Sequence, residues 1–506
     1  MRRMTQGRAP RLVPLVAALA AIVSGESFAE SAGTPFSVAA PAGWHPGDGH
    51  GVAALMQALR VTGNKLHRPS AGPASTHQVT SCADDGSPGT LRDAIAAANS
   101  GDTIDLGALS CSTITLAQGA IPIVVDDLVV KGSGGAPAID GAGQDRVFID
   151  YGYGTLTLQS LVVRNGRNYV QGFKVAGGAC VLANGYVTLV DSTVSGCTSI
   201  GEGAYGGGIL ATGITLYKST LSGNTAQGAP LKTLTASYGA GAFAYRGTAA
   251  LYDSTVSGNR AAPDAGNTYG SYDTGGGIFS DNGGLAYRST IDHNYSSGTG
   301  GGIASHYAFF VIDSTVSTNA ARKKAGGGIF VLTYGGLTIE NSTIAFNEAP
   351  VGAGVYVAGT LRGFTLQSTL IVDNTGGADI AARHPPSVTG ANNLVGTAGA
   401  GIALPADTRH GPPVLLPLTN NGGPVRTHAL GPGSAAIDAG NNAAGLVTDQ
   451  RGPGFPRVRG AAPDIGAFES VAAPVAVLPV PLADWCTRLL VAILCALGLQ
   501  RLRKQT

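Results

Sequence analysis

The sequence predicts an all-β fold in which the chain winds into a parallel β-helix with about three short strands per turn. A phrase of Ser-Thr followed by an aliphatic residue recurs at steps of 25 to 35 residues. The segments between the phrases hold short apolar runs rich in β-branched residues and bounded by Gly and Asn. No ten-residue stretch inside the repeats has helical periodicity, so the repeat unit is a coil of strands.

The serine of each phrase sets the alignment of the repeats. It is followed by Thr in seven of eight cases, with Leu161 as the exception, and then by Val, Leu or Ile. The aligned serines are Ser160, Ser192, Ser219, Ser254, Ser289, Ser314, Ser342 and Ser368. The residues five positions further on are Asn165, Cys197, Asn224, Asn259, Asn294, Asn319, Asn347 and Asp373.

Equivalent residues of successive turns are expected to stack about 4.8 Å apart. The aliphatic column then forms a continuous core, and the asparagine column forms a ladder of side-chain hydrogen bonds. Gly-rich marks upstream of most phrases, such as Gly-Gly-Gly-Ile at 206–209, supply turns with positive φ.

The residue that precedes the aligned serine varies in charge. The series is Asp191, Lys218, Asp253, Arg288, Asp313, Asn341 and Gln367. Alternating charges attract across neighbouring strands, so this series predicts an ion-pair ladder along one edge.

The charge content excludes nucleic acid as the main partner. Charged residues make up 12% of the chain and the formal net charge is +1, whereas phosphate binding needs a concentrated basic face. The 77 glycines recur in register with aliphatic residues, which favours packed repeats over disorder.

Both ends of the chain contain segments typical of export. Basic residues, an apolar run and Ser27-Phe28-Ala29 predict a signal peptide over residues 1–29, followed by a linker over 30–77. Residues 471–506 form a linker and a hydrophobic tail ending in basic residues, which predicts sorting to, or retention at, a membrane or envelope. We therefore expect the protein at the bacterial cell surface, at the outer membrane or outside the cell.

Export places the cysteines in an oxidising compartment. Cys486 and Cys495 lie in the tail, and the other four are expected to pair as Cys82–Cys111 and Cys180–Cys197. The sequence lacks Cys/His metal spacing, so neither a metal nor a cofactor is predicted.

Several segments resemble known bacterial families. Residues 78–116 contain Gly-Thr-Leu-Arg-Asp-Ala-Ile at 89–95 and resemble the N-terminal module named for Cys-Ser-Leu-Arg-Glu-Ala, which implies a cap with a short helix at Thr90–Ala98. Residues 420–469 resemble the type Q choice-of-anchor module, which we place at 401–470. The tail resembles Pro-Thr-Leu-Trp sorting signals through Pro481 and Trp485.

The Gly-Gly-Ile and Ser-Gly-Asn marks are similar to the repeats of polymorphic outer-membrane proteins. Together the resemblances imply a right-handed β-helix of the pectin-lyase-like class over residues 117–400. They imply a surface protein with a C-terminal anchor, and no particular reaction.

A column of tyrosines is the best candidate for binding. Tyr217, Tyr252 and Tyr287 stand two residues before the serine in three consecutive turns, near inserted loops that contain Tyr269 and Tyr272. The column is either a structural ladder or, if it faces outward, a platform for an extended ligand such as a sugar chain.

Three functions follow from these observations. The first is a non-enzymatic adhesin or scaffold that binds an extracellular polysaccharide or the surface of a host or neighbouring cell. The second is a polysaccharide lyase or glycoside hydrolase that uses Asp191, Asp253 and Asp313, but the intervening cations are wrong for a general acid. The third is a structural stalk. We assign no catalytic residue, and whether the protein is an enzyme stays open, with a non-enzyme favoured.

Three further groups of polar residues are expected to be structural. His293 and His306 lack an evident carboxylate partner, and Asp379, Arg383 and His384 are expected in a solvated loop. Asp449, Arg451, Asp464 and Glu469 are expected to form buried ion pairs rather than a metal site.

Overall fold

The computed structural model describes residues 47–66, 73–170, 175–229, 235–263, 271–332 and 335–470. Within them the chain forms two helices and five parallel sheets that it visits in a fixed order, turn after turn. The helices are α1 (Gly47–Leu66) and α2 (Leu91–Ala97). We name the sheets A to E in the order in which one turn meets them. The prediction of a parallel β-helix is confirmed.

Sheets A and B form two sides of the coil. Sheet A has 12 strands: Thr76–Gln78, Thr103–Asp105, Leu128–Lys131, Thr155–Gln159, Tyr186–Val190, Gly213–Tyr217, Ala249–Tyr252, Gly284–Tyr287, Phe309–Ile312, Gly336–Glu340, Gly363–Gln367 and Val388–Ala391. Sheet B has 11: Thr113–Thr115, Ala138–Asp140, Val162–Arg164, Thr193–Ser195, Thr220–Ser222, Thr255–Ser257, Thr290–Asp292, Thr315–Ser317, Thr343–Ala345, Leu370–Val372 and Leu394–Val395.

Sheets C, D and E complete each turn. Sheet C has eight strands: Arg167–Tyr169, Thr198–Gly201, Thr225–Gly228, Arg260–Pro263, Tyr295–Ser296, Ala320–Ala321, Glu348–Ala349 and Thr375–Gly376. Sheet D has four: Val175–Gly177, Gly203–Tyr205, Thr235–Tyr238 and Ser271–Thr274. Sheet E has ten: Ile121–Ile123, Phe148–Asp150, Val181–Ala183, Ile209–Ala211, Ala242–Ala244, Ile278–Ser280, Ile303–Ser305, Ile329–Val331, Val355–Val357 and Ile380–Ala382. The turns therefore hold up to five strands, because four of them add a strand of sheet D.

The predicted aliphatic column forms part of the core. Val194, Leu221, Val256, Ile291, Val316 and Ile344 are all fully buried. Each aligns with the next in the register of sheet B. A continuous apolar interior of this kind stabilises each turn through its two neighbours.

The asparagine ladder is present, but its ends differ from the prediction. Asn224, Asn259, Asn294 and Asn319 each donate from Nδ2 to the Oδ1 of the next asparagine, at 2.9–3.0 Å. After Asn347 the ladder continues to Asn374 and then to the carboxylate of Asp379. The prediction that Asn165 and Asp373 belong to the ladder is wrong. Each instead occupies the corner position one residue earlier, with φ of 55°.

The serine column is displaced in the same way. Six of the eight serines, from Ser192 to Ser342, follow one another in single file. Each hydroxyl after that of Ser192 accepts from the backbone N–H of the serine before it. Ser160 and Ser368 have φ of 52° and lie in the corner position of Asp191 and Lys218, while Leu161 and Thr369 occupy the serine position. This places Gln367 in the strand beside Glu340, outside the column of variable charge.

Helix α2 covers the first turns of the coil, as predicted. Thr90 is its N-cap, with Oγ1 accepting from the N–H of Asp93, and Leu91 and Ile95 are buried in the main core. Arg92 pairs with Asp84 at 2.9 Å and donates to the carbonyl of Gly119. An end of a solenoid needs such a cover because it exposes apolar core and strand edges.

The prediction of a linker over residues 30–77 is wrong for residues 47–66, which form helix α1. Val52, Met56 and Leu59 of this helix are buried against a second apolar cluster on the outer side of sheet E. Their spacing of four and three residues is the signal of an amphipathic helix. The predicted signal peptide (1–29) and the predicted linker and tail (471–506) lie outside the described residues.

Residues 401–470 lie along the outer face of sheet B from Thr290 onward. Gln450 donates to the hydroxyl of Thr290 at 3.0 Å and accepts from Thr315 at 2.6 Å. Leu430, Ala436 and Ile465 of this C-terminal segment form an apolar cluster with Leu370 and Leu394. The segment therefore covers one part of sheet B and leaves the turns before Thr290 open.

One buried carboxyl inside the coil gives a prediction for pH dependence. Asp150 is 3% exposed, and burial raises its pKa to about 8, although the N–H of Gly152 donates to it at 2.9 Å. A folded-state pKa above the unfolded value means that stability is lost as pH rises toward the folded pKa. Ionisation of Asp150 should therefore lower the unfolding free energy of the wild type by about 2 kcal/mol between about pH 6 and about pH 8. In Asp150→Asn this contribution should be absent.

Urea unfolding at several pH values measures this effect. Asp191→Asn, which changes an exposed acid, is the matched control and should keep the wild-type slope. An Asp150→Asn protein with the wild-type pH profile would contradict the assignment.

Candidate ligand-binding face

The predicted tyrosine column lies on the outer side of sheet A. Tyr217, Tyr252 and Tyr287 are in register in consecutive strands, and all three are half-buried. The rings of Tyr217 and Tyr252 are stacked, with centroids 4.8 Å apart and an angle of 11° between planes. Since stacked carbon atoms touch at about 3.5–4 Å, the rings are offset and form steps with partly uncovered faces.

Tyr287 does not extend this stack. Its ring lies 6.5 Å from that of Tyr252 at an angle of 65°. The guanidinium of Arg288 lies 4.8 Å from the Tyr287 ring centroid and binds both carboxylate oxygens of Asp253, at 2.8 and 2.7 Å. The outward aromatic stack therefore contains two of the three predicted members.

Tyr186 is an exposed residue of this face that the sequence analysis missed. It begins the strand next to Gly213–Tyr217 and is 52% exposed. Thr188 and Val190 point outward in the same strand. The distance along the strand from Tyr186 to Val190 is about 13 Å. The strand alternation from Tyr186 to Val190 was the sequence signal that could have placed Tyr186 on the outer face. We call Tyr186, Thr188, Val190, Thr215, Tyr217 and Tyr252 the tyrosine face.

The Tyr252 hydroxyl stays protonated at neutral pH. Burial raises the pKa of Tyr252 to about 12, and the neighbouring Tyr217 adds to the shift. Tyr252 therefore offers an O–H donor near the threonine hydroxyls of the face, a combination that suits the hydroxyl groups of a sugar.

The loop tyrosines are not part of the tyrosine face. Tyr269 lies outside the described residues. Tyr272 is half-buried in sheet D, where the ammonium of Lys324 lies 4.9 Å from its ring centroid, and it packs against the second apolar cluster with Tyr238 and Phe279. That cluster lies against sheet E and helix α1, on a different side of the coil from sheet A.

The acidic series considered for catalysis is dispersed by the structure. Asp191 is exposed, Asp253 is held by Arg288, and Asp313 is fully buried, with its Oδ1 atom 3.5 Å from Arg457. Burial raises the pKa of Asp313 well above its usual value, and Arg457 opposes that shift. The ion-pair ladder is therefore wrong as a continuous series: among the described residues, Asp253–Arg288 is its one internal pair.

Two predictions about histidines and one about a loop are also corrected. His293 lies 2.5 Å from the carboxylate of Asp292, and His306 lies 3.0 Å from that of Asp281, so each has a carboxylate partner. Asp379 is buried rather than solvated, because it accepts hydrogen bonds from the last asparagine of the ladder and from Thr397.

Ion pairs hold the C-terminal segment together. Asp449 binds Arg451 at 2.6 Å, and the Arg451 guanidinium lies between the rings of Phe455 and Phe468, 4.1 and 3.9 Å from their centroids. Over the described residues, no group of three or more His, Cys, Asp or Glu side chains is placed to hold a metal ion.

Both expected disulfides are formed, Cys82–Cys111 and Cys180–Cys197. Disulfides persist in oxidising compartments, which indicates an extracellular or periplasmic location. In the part of the chain that the structure describes, neither helix is long and apolar enough to span a membrane.

The fold defines the class of this chain as a disulfide-bonded parallel β-helix protein. No protein-family model and no curated protein sequence matches it. Among solved structures, the crystal structure of pectate lyase Pel9A is similar with a TM-score of 0.40 and 13% identity, covering 78% of this chain and 97% of that chain. A similarity of this size carries no information on activity, so function is inferred from the side chains of this chain.

Proposed function

We propose that this chain is an exported, non-enzymatic β-helix protein of the cell surface that binds polysaccharide on the tyrosine face. The observation that carries the proposal is the outward, offset stack of Tyr217 and Tyr252 with threonine hydroxyls beside it. Aromatic rings provide apolar contact at low entropic cost, and hydroxyls both donate and accept. Host or neighbouring cell surfaces that display such glycans are the expected partners.

The arrangement of the acids supports binding without turnover. A glycosidase needs two carboxyls facing one sugar bond, about 5–9.5 Å apart. Asp313 is buried under the C-terminal segment and Asp253 is neutralised by Arg288. Neither carboxyl is placed to protonate a glycosidic oxygen.

The cell-surface part of the proposal rests on the ends of the chain. The signal peptide predicted at 1–29 and the basic-ended apolar tail within 471–506 are typical of exported proteins that are sorted or retained at the C-terminus. The likeness of residues 420–469 to a choice-of-anchor module supports attachment near this end. We infer that the coil is held at the envelope with the tyrosine face available to glycans.

Tyr252→Ala should weaken binding of a neutral polysaccharide by about tenfold, because it removes one half of the stack. A glycan array with the purified full-length chain identifies the ligand, and calorimetry measures the affinity. Tyr307→Ala is the matched control, because Tyr307 is 51% exposed and lies outside the tyrosine face. Equal loss in both variants would contradict the assignment of the site.

The same samples distinguish the proposed role from the two others. Reducing-sugar and unsaturated-uronate assays on the bound glycans should detect no product. Turnover would show a lyase or hydrolase. A wild-type protein that binds none of the arrayed glycans would favour a structural stalk.

A further inference from the structure

Sheets B and C meet at a corner that forms an open groove. Each turn passes this corner at one residue with positive φ, and in three turns that residue is an exposed glycine: Gly196, Gly223 and Gly258. Its first turns hold an open cavity of about 680 Å³ whose lining includes Asp140, Arg167 and Thr198. A Cβ added to Gly223 would meet nothing within 4 Å, and one added to Gly258 would meet only the Gly223 nitrogen at 3.9 Å, so the corner is unfilled at these two glycines. A Cβ added to Gly196 would lie 2.9 Å from Oδ1 of Asn165, whose side chain fills the corner at that turn.

Hydroxyl groups line both sides of this corner. Ser195, Ser222 and Ser257 are in register on the sheet B side, and Thr198 and Thr225 are in register on the sheet C side. All five are half-buried. We call these five residues, the three corner glycines, Asp140, Arg167 and Arg260 the corner groove.

Two exposed arginines flank the threonines in one column. Arg167 pairs in register with Thr198, Thr198 with Thr225, and Thr225 with Arg260. The arginines are thus three strand spacings apart, about 14 Å along the coil. Among the described residues neither makes an ion pair; their guanidiniums lie 5.8 and 4.2 Å from the ring centroids of Tyr169 and Tyr295.

The one acid of the groove, Asp140, already has a cationic partner. Asp140 binds Arg164 at 2.8 Å. Burial opposes ionisation of Asp140, but hydrogen bonds from the Ala142 N–H and from Arg164 lower its pKa overall. The groove therefore carries an excess of positive charge from Arg167 and Arg260.

The groove has a defined end. In the turn after Gly258, the corner residue is His293, which pairs with Asp292. Asp292 also binds Arg426 of the C-terminal segment at 2.6 Å. From this turn on, the C-terminal segment covers sheet B. The open length is therefore limited to the turns between Arg167 and Arg260, which fits a short stretch of an extended chain.

We propose that the corner groove binds an acidic polysaccharide, with Arg167 and Arg260 holding carboxylate or sulfate groups and the serine and threonine rows holding sugar hydroxyls. Guanidinium groups recognise such anions through paired hydrogen bonds, and hydroxyls match the mixed donors and acceptors of sugars. The inference rests on the proposed glycan-binding function but places a second, charge-selective site around the coil from the tyrosine face.

The first test compares a hexuronate oligosaccharide with its methyl ester, by calorimetry on the full-length chain at low salt. Wild type should bind the free acid at least about tenfold more tightly than the ester. Arg167→Gln and Arg260→Gln should each weaken binding of the acid by about tenfold and leave the ester unchanged. Arg362→Gln, which removes an exposed arginine outside the groove, should change neither affinity.

A sulfated dextran and plain dextran form a second pair, which shows whether sulfate or carboxylate is preferred. Preference for either anion supports the proposal. Equal affinity for the charged and uncharged members of both pairs overturns it.

A third variant tests the groove without changing its charge. Gly223→Asn fills the corner with a residue type that tolerates positive φ, and Asn165 already occupies the equivalent position two turns earlier. Binding of the hexuronate should fall by about tenfold or more, because the side chain occupies the ligand's place. Thermal unfolding checks that the variant is folded, and Gly258→Asn replaces it if it is not.

The outcomes separate this inference from the proposed function. In one outcome, Tyr252→Ala weakens binding of a neutral glycan, while the arginine and glycine variants bind the hexuronate as wild type does. This result supports the tyrosine face and overturns the corner groove. Hexuronate binding that is lost in the groove variants and retained in Tyr252→Ala supports the corner groove alone.

Discussion

Arg457→Met is expected to destabilise the protein by about 3–5 kcal/mol, because it leaves a buried carboxyl without its cation. Arg457 and Asp313 are at most 1% exposed, and they join the C-terminal segment to the coil. Arg457 also donates to the carbonyl of Asp464 at 2.7 Å. Urea unfolding measures the loss, and hydrogen exchange should locate it in the sheet B strands that the segment covers.

Arg459→Met is the matched control, since Arg459 is exposed and two residues away. Burial already raises the pKa of Asp313, and loss of Arg457 removes the larger of the two positive charges that oppose this shift, the other being Arg288. Because stability is lost as pH rises toward a raised folded-state pKa, the deficit of Arg457→Met should grow with pH. Asp313→Asn in the same chain should reduce this pH dependence, and the remainder belongs to the buried Glu469, which Arg457 also pairs with at 3.5 Å. A deficit equal to that of Arg459→Met would show that the pair does not hold the segment.

Asn294→Ala should cost about 3–4 kcal/mol, since it leaves buried donors of Asn259 without an acceptor. The Oδ1 atom of Asn294 accepts from both the backbone N–H and the Nδ2 of Asn259, at 3.0 and 2.9 Å. Its own Nδ2 donates to the Val256 carbonyl at 2.8 Å. All of these groups are buried, so water cannot replace the lost partner.

Unfolding by urea, followed by circular dichroism, tests this prediction. Asn282→Ala changes an exposed asparagine of a neighbouring turn and should change the unfolding free energy by less than about 0.5 kcal/mol. If Asn294→Ala were no more destabilised than Asn282→Ala, the ladder would contribute nothing to stability.

The repeat period predicted the coil because identical residues at a regular interval can satisfy one another only when they stack. The predicted alignment is wrong by one position at Ser160 and Ser368. There the serine occupies the corner, and Leu161 or Thr369 takes the serine position in the column. A local phrase cannot distinguish the two positions, because the choice depends on the register with the neighbouring strand. The same shift removed Asn165 and Asp373 from the ladder.

The candidate site was predicted in part. The tyrosines recur in one repeat position, which placed Tyr217 and Tyr252 in contact. The orientation of Tyr287 depends on its contact with Arg288. The sequence predicted the pairing of Arg288 with Asp253 as part of the charge ladder, but it did not predict the contact of Arg288 with the Tyr287 ring. Tyr186 lies at the far end of its strand, outside the repeated phrase, and its exposure follows from its place on sheet A.

The sequence by itself determined the parallel coil, its aliphatic interior and the asparagine ladder, since each follows from residues that recur at one position of the repeat. The pairing of the cysteines was an expectation that the structure confirmed. Only the tertiary structure decided what covers the outside of the coil. Helix α1, sheet D and the C-terminal segment select which outward columns are buried, through contacts such as Gln450 with Thr290 and Arg457 with Asp313. Those contacts join residues more than a hundred positions apart, so no local pattern encodes them, and they leave the tyrosine face and the corner groove open.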